Sequence, residues 1–169
     1  HFEQGYPDQW DALVSAHPDV LSGSSGKYMS WEVADPEKWV PDGYALVRVD
    51  SRGAGRSPGE IDPNSARETK DFAQCIEWAG RQPWSNGKVG LLGISYYAIN
   101  QWQVATLQPE PLEAICTWEG FSDFYRDLTR HGGIYNTFLR GWYENQVETV
   151  QHGVGKNGHR SPMTGGWVA

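Results

Sequence analysis

The chain has 169 residues, the length of one domain, and a domain of that size buries about two thirds of the surface its unfolded chain exposes. Lys and Arg total 14 against 21 Asp and Glu, a formal charge of −7, which argues against a nucleic-acid binder, since that function needs a basic face. No apolar run approaches the ~18 residues of a membrane span, and the first residues, HFEQGYPDQW, have neither a Met start nor the basic-then-apolar pattern of a signal peptide.

Residues 1–43 are rich in Pro, Gly, Ser and Asp, and their apolar residues keep no helical or strand period. They read as long loops with short helical turns. The first strand expected is Tyr44–Asp50, short, β-branched and preceded by the turn signal Pro41-Asp42-Gly43. A glycine-rich loop, SRGAGRSPGE, follows. A helix is expected from Ser65, a residue suited to N-capping, through Arg81, stopping before Pro83. KVGLLG is the second strand, Tyr96 to Leu107 the next helix, and LEAICTW the third strand after Pro109 and Pro111. Strand, helix, strand, helix, strand with short joints predicts a parallel sheet covered by helices. Beyond Trp118 the chain turns to polar helical pieces with Phe138, Trp142, Tyr143 and Val147 on their apolar side, the pattern of a helical cap that begins there.

The two cysteines make no disulfide framework. Cys75 falls on the stripe Phe72, Cys75, Ile76, Ala79 at spacing i, i+3, i+4, i+7, and Cys116 lies in the apolar run AICTW. Both are expected as buried, inert thiols with no metal or catalytic role. Nine Trp and eight Tyr predict a large core and an aromatic-lined cleft, with stacking platforms for sugars as the alternative.

GAGRS at Gly53–Ser57 invites a phosphate-binding reading, which the spacing rejects. A dinucleotide loop needs a third glycine where Pro58 stands, and a Walker loop needs Lys where Arg56 stands. The structural expectation is that Arg52 pairs with Asp50 or another carboxylate and ties the loop against the sheet edge.

Gly93-Ile94-Ser95-Tyr96-Tyr97-Ala98 sits between a strand pattern and a helix pattern. That context suits a nucleophile elbow of the Gly-x-Ser-x-Gly kind, in which serine occupies a tight strand-to-helix turn. It equally suits an ordinary serine N-cap. Ala98, one position late, replaces the small residue the elbow usually has two after the serine.

Several joined motifs bear on that choice. Asp50, Arg52, Gly53, Gly55 and Ser57 are followed by Glu77-Trp78, by Gln82-Pro83-Trp84, and then by Gly93, Ser95 and Tyr96. From Tyr44 to Arg126 the chain resembles the cocaine-esterase and X-prolyl dipeptidyl-peptidase group of α/β-hydrolases, with Ala98 where the group usually has Gly. SDFYRD at Ser122–Asp127 is similar to the point where that group enters its helical cap. The resemblance implies an α/β-hydrolase fold, with Ser95 as the acylating nucleophile and the backbone N–H of Tyr96 as one oxyanion donor. The group's second donor is a tyrosine hydroxyl in a Pro-Tyr pair, which this sequence lacks; Tyr6-Pro7 has the reverse order, and the role is not carried over to it.

A serine nucleophile needs a histidine base and a carboxylate to orient it, in the chain order Ser, acid, His for this fold. Asp123 with His131, His152 or His159 satisfies that order nominally. No strand precedes these histidines to hold them, and they read as solvated loop residues. In the group resembled, the acid and histidine follow the cap. The expectation is therefore an N-terminal piece of a hydrolase: residues 1–120 the first part of the α/β-hydrolase domain, residues 121–169 the start of its helical cap. The function expected is hydrolysis of an ester or amide bond through an acyl-enzyme on Ser95. The partners expected are a small ester or peptide substrate and the remainder of the hydrolase domain, with no cofactor, metal, nucleic acid or membrane. The alternative is a noncatalytic aromatic-rich binding module in which Ser95 only caps a helix. Backbone dihedrals at Ser95 separate the two.

Overall fold

The computed structural model describes residues 7–29 and 32–153. The N-terminal region holds more regular structure than its composition suggests. Helix α1 spans Pro7–Ala16, a 3-10 turn spans Pro18–Leu21, and a single helical turn, α2, spans Pro36–Trp39. Asp35 starts α2 by accepting the Glu37 N–H, which satisfies one of the first-turn donors a helix leaves without partners.

Tyr44–Asp50 does not join a ladder: it pairs with no strand among the described residues. Its β-branched pattern favours an extended backbone, but a strand also needs a neighbouring edge to bond, and the strand Val89–Ile94 bonds only the strand Leu112–Trp118 among the described residues. Arg48 holds the segment instead, donating to the carbonyls of Ala34 at 2.7 Å and Tyr28 at 3.1 Å.

Helix α3 spans Ala66–Gly80 and is capped by Ser65, whose Oγ accepts the Glu68 N–H at 3.1 Å. The expected stripe faces inward, with Ile76 and Ala79 buried. Cys75 is only half-buried, although that burial pushes its thiol pKa up. Strand β1 covers Val89–Ile94 and strand β2 covers Leu112–Trp118. They pair in parallel, with Gly93 opposite Thr117 and Ile94 opposite Trp118. Helix α4, Tyr96–Ala105, makes the crossover and buries Ala98, Ile99, Gln101 and Val104. Parallel strands need such a crossover, because a short turn cannot carry the chain back to the same end. Gln101 uses its buried amide well. Its Nε2 donates to the Tyr97 carbonyl and its Oε1 accepts the Cys116 N–H at 3.1 Å. The result is a parallel sheet flanked by helices, a partial α/β fold.

Cys116 departs from the expectation of burial. It is exposed, and its Sγ accepts from Trp118 Nε1 at 3.2 Å. Period-two alternation turns Ile115 and Thr117 to the covered side of β2 and leaves Cys116 and Trp118 on the other. An apolar run cannot say which of its two faces is covered.

The region after Trp118 is not wholly helical either. Phe124–Thr129 forms one wide turn of π-helix, and β3 (Arg130–His131) and β4 (Ile134–Tyr135) form a small antiparallel hairpin. Gly132 and Gly133 make its two-residue turn with φ of 58° and 86°, the positive values that such hairpin turns require. A helical stretch follows, comprising α5 (Phe138–Trp142), a π-helical segment Tyr143–Glu148, and α6 (Thr149–His152). Of the apolar side expected there, Val147 is buried, whereas Phe138 and Tyr143 are exposed. No helix among the described residues is long and apolar enough to cross a membrane.

Candidate active site

Ser95 is the single residue between β1 and α4, at the C-terminal end of the parallel pair. Its backbone has φ 55° and ψ −115°, and its side chain makes no capping hydrogen bond. An ordinary N-cap serine has extended dihedrals and bonds a first-turn amide, as Ser65 does in α3. Ser95 does neither. Its main chain is held on both sides: its N–H donates to the Trp118 carbonyl at 2.9 Å, and its carbonyl accepts from Ala98 and Ile99, each at 2.9 Å. Its side chain is left exposed. This is a strained strand-to-helix turn, and backbone in so sparsely populated a region costs on the order of 1–3 kcal/mol.

Small residues make the turn possible. A Cβ on Gly93 would overlap the Cβ of Tyr97 and lie 2.9 Å from its carbonyl oxygen. Ala98 is fully buried, and the residue facing it is Gly120, where a Cβ would come within 2.8 Å of Ala98 Cβ. The extra methyl at Ala98 is accommodated because its neighbour has none.

Tyr96 is the first residue of α4, so its backbone N–H is one of the four that the helix leaves unpaired internally. Its side chain is fastened from two directions. The phenol donates to Glu68 Oε2 at 2.6 Å, and the ring stacks on Trp142 with centroids 5.9 Å apart and planes 21° apart. Burial, reinforced by the Glu68 carboxylate, pushes the phenol pKa well up, so the hydroxyl stays protonated and donating. The Asn64 N–H reaches both Glu68 Oε2, at 2.8 Å, and the Tyr96 hydroxyl, at 3.2 Å. Glu68 was not among the residues the motifs singled out. Its spacing from the cap, Ser65-x-x-Glu68, is the capping-box signature and is the one local signal that could have drawn attention to it.

Among the described residues, no hydrogen bond joins Ser95 to Asp123, His131 or His152. Asp123 caps the Phe124–Thr129 turn: Oδ1 accepts the Arg126 N–H at 2.9 Å and Oδ2 pairs with the Arg126 guanidinium. These contacts, the backbone one first, hold its pKa below the usual carboxylate range. His131 lies in the small hairpin and His152 ends α6, both exposed. Among the described residues no hydrogen bond joins either to Ser95 or Asp123. His159 and Tyr6 lie outside the described residues.

The glycine loop is tied to α3 rather than to the sheet edge. Arg52 forms a bidentate pair with Asp71, with both contacts at 2.8 Å, and not with Asp50. Asp50 serves the loop from inside: its carbonyl accepts from Ser57 Oγ at 2.8 Å, and its carboxylate accepts the Arg56 N–H at 3.3 Å. Its carboxylate occupies the space a side chain at Gly55 would need. Beside the turn at Ser95, an open, mostly apolar recess of about 300 Å³ is lined by Trp10, Leu13, Ile94, Trp118, Glu32 and Glu119. Among the described residues no group of three or more His, Cys, Asp or Glu could hold a metal ion.

The sequence profile described as X-Pro dipeptidyl-peptidase (S15 family) matches residues 8–160. The chain belongs to the S15 family. Among similar proteins, the cocaine esterase of Rhodococcus is 38% identical over 89 residues, covering 53% of this chain and 15% of the esterase. The Xaa-Pro dipeptidyl-peptidase of Streptococcus gordonii is 26% identical over 108 residues, covering 55% of this chain and 14% of the peptidase. A crystal structure of a CocE/NonD family hydrolase from Staphylococcus aureus superposes with a TM-score of 0.70 at 42% identity, covering 75% of this chain and 23% of that one. The chain thus spans less than a quarter of each of these relatives. The fold is that of an α/β-hydrolase in part, and the family is one of hydrolases.

Proposed function

We propose that this chain carries the nucleophile of a serine hydrolase that cleaves an ester or amide bond. Ser95 Oγ adds to the substrate carbonyl and a base takes its proton. The tetrahedral oxyanion is met by the Tyr96 N–H, one of the donors such a site needs. Collapse breaks the bond to the alcohol or amine, which leaves with the proton and yields an acyl-Ser95 ester. Water, activated by the same base, then releases the acid and restores the serine.

The observation that carries this reading is the Ser95 backbone. A left-handed φ at a non-glycine residue, at the C-terminal end of a parallel strand and the start of a helix, has the geometry that exposes a serine nucleophile. The esterase and dipeptidyl-peptidase relatives support ester or peptide substrates. In the proposed arrangement the base and acid lie outside residues 1–169, and residues 121–169 begin a helical cap that the rest of the protein completes over the sheet of residues 1–120.

The test is turnover of a nitrophenyl ester and of an X-Pro arylamide by the full-length protein, beside its Ser95→Ala variant. A fluorophosphonate should add its mass to the peptide carrying Ser95. Turnover that survives Ser95→Ala, or a label on another serine, would overturn the assignment.

A further inference from the structure

We propose that Glu68 is a positioning residue for the elbow, acting through the phenol of Tyr96; this rests on the Ser95 reading above. Ser95 holds a backbone conformation that persists only where its surroundings over-determine it. Three main-chain hydrogen bonds hold Ser95 itself. Two of them are accepted by the Ser95 carbonyl, which shares one rigid peptide plane with the Tyr96 N–H, so the start of α4 orients that donor from one side. A donor aimed at a developing oxyanion must be preorganised to be effective, because a misplacement of about 1 Å can lower the rate about a hundredfold.

The side chain of Tyr96 adds an anchor from outside α4. Its hydroxyl is bound to Glu68 on α3, an element 28 residues earlier in the chain, by a short charge-assisted hydrogen bond of 2.6 Å. The same carboxylate oxygen accepts the Asn64 N–H, and Asn64 Oδ1 receives Gln103 Nε2 from further along α4 at 3.4 Å. Glu68 therefore links the start of α3, the loop before it and the first residue of α4 in one network. Trp142 stacks on one face of the ring. The Glu68 carboxylate bonds Tyr96 and Asn64 and makes no hydrogen bond to Ser95, so its effect reaches the chemistry by fixing Tyr96.

Three variants of the full-length protein test this: Tyr96→Phe, Glu68→Ala and Glu68→Gln. Tyr96→Phe removes only the phenol oxygen and leaves the α3 cap intact, so it separates positioning from folding. The expected result is a fall in kcat of about tenfold for Tyr96→Phe and for Glu68→Ala, with KM within about twofold of the starting protein. The double variant should fall no further than either single one, since both cut the same link. Glu68→Gln keeps an acceptor for the phenol and should recover most of the loss. Ser95→Ala is run beside them. If it retains activity, the serine reading fails and this inference with it. If Ser95→Ala is inactive while Tyr96→Phe keeps an unchanged kcat, or the whole loss lies in KM, the positioning role alone is overturned.

Discussion

The amide of Ser95 donates to the carbonyl of Trp118 at 2.9 Å, one residue beyond the Ile94–Trp118 pair that ends the β1–β2 ladder. The parallel pairing thus continues into the turn itself, and the sheet fixes where the serine stands before α4 begins. Strain at that residue is held in place by a neighbouring strand.

Relieving the strain should stabilise the protein while removing its chemistry. Both Ser95→Gly and Ser95→Ala delete the hydroxyl, but glycine adopts φ 55° without a Cβ penalty. Its gain is partly offset by the greater freedom of glycine in the unfolded chain, so Ser95→Gly should exceed Ser95→Ala in stability by about 1 kcal/mol. Urea unfolding of the two variants measures this. Equal midpoints would mean the backbone at Ser95 is not strained in solution.

Asp123 should prove structural. Asparagine caps helices as well as aspartate does, so Asp123→Asn should keep hydrolytic activity within about twofold, whereas loss of a true triad acid costs on the order of 10⁴-fold. Steady-state kinetics on the full-length variant decide it. A collapse of kcat in Asp123→Asn, with folding intact by circular dichroism, would make Asp123 the acid.

The tether of the glycine loop should be sensitive to acid. The Arg52 guanidinium hydrogen-bonds Asp71 and holds its carboxyl below the usual range. A depressed folded-state pKa means the tether is fully present above the ordinary carboxylate pKa and is lost as pH falls through the lowered value. The pair is largely solvent-exposed, so the effect belongs to the loop and not to global stability. Hydrogen exchange over residues 52–57, corrected for intrinsic rates, should rise in that acid window. The same window should be silent in Asp71→Asn, and an identical profile in that variant would refute the tether.

Residues 1–169 expressed alone should hydrolyse a nitrophenyl ester no faster than background. In the proposed arrangement the base lies outside this segment; without it the serine hydroxyl stays protonated near neutral pH and is a weak nucleophile, and removing a triad member costs on the order of 10⁴–10⁶ in rate. Turnover by this segment that vanishes in Ser95→Ala would place the base within it, with His131, His152 and His159 the first residues to replace.

What the sequence determined by itself is what short-range chemistry dictates. Ser65 as the cap of α3, the strand Leu112–Trp118, the buried Ile76 and Ala79, and the isolation of Ser95 between a strand and a helix all follow from periodicity, capping and turn chemistry. These act over a few residues and survive in any context that buries the apolar side. Even the hairpin at Gly132-Gly133 had its local signal. Only the tertiary structure decided what lies across from what. Tyr44–Asp50 has the residues of a strand and no bonded neighbour among the described residues, because a ladder is a property of two edges and one segment encodes only its own. Cys116 sits in an apolar run yet is exposed, because alternation marks two faces without saying which is covered. Arg52 required a carboxylate, and the packing of α3 chose Asp71 over Asp50. The link from Glu68 to Tyr96 joins residues 28 positions apart, and such a bond is written in no local pattern: it exists because burying the faces of α3 and α4 brings the two helix N-termini side by side.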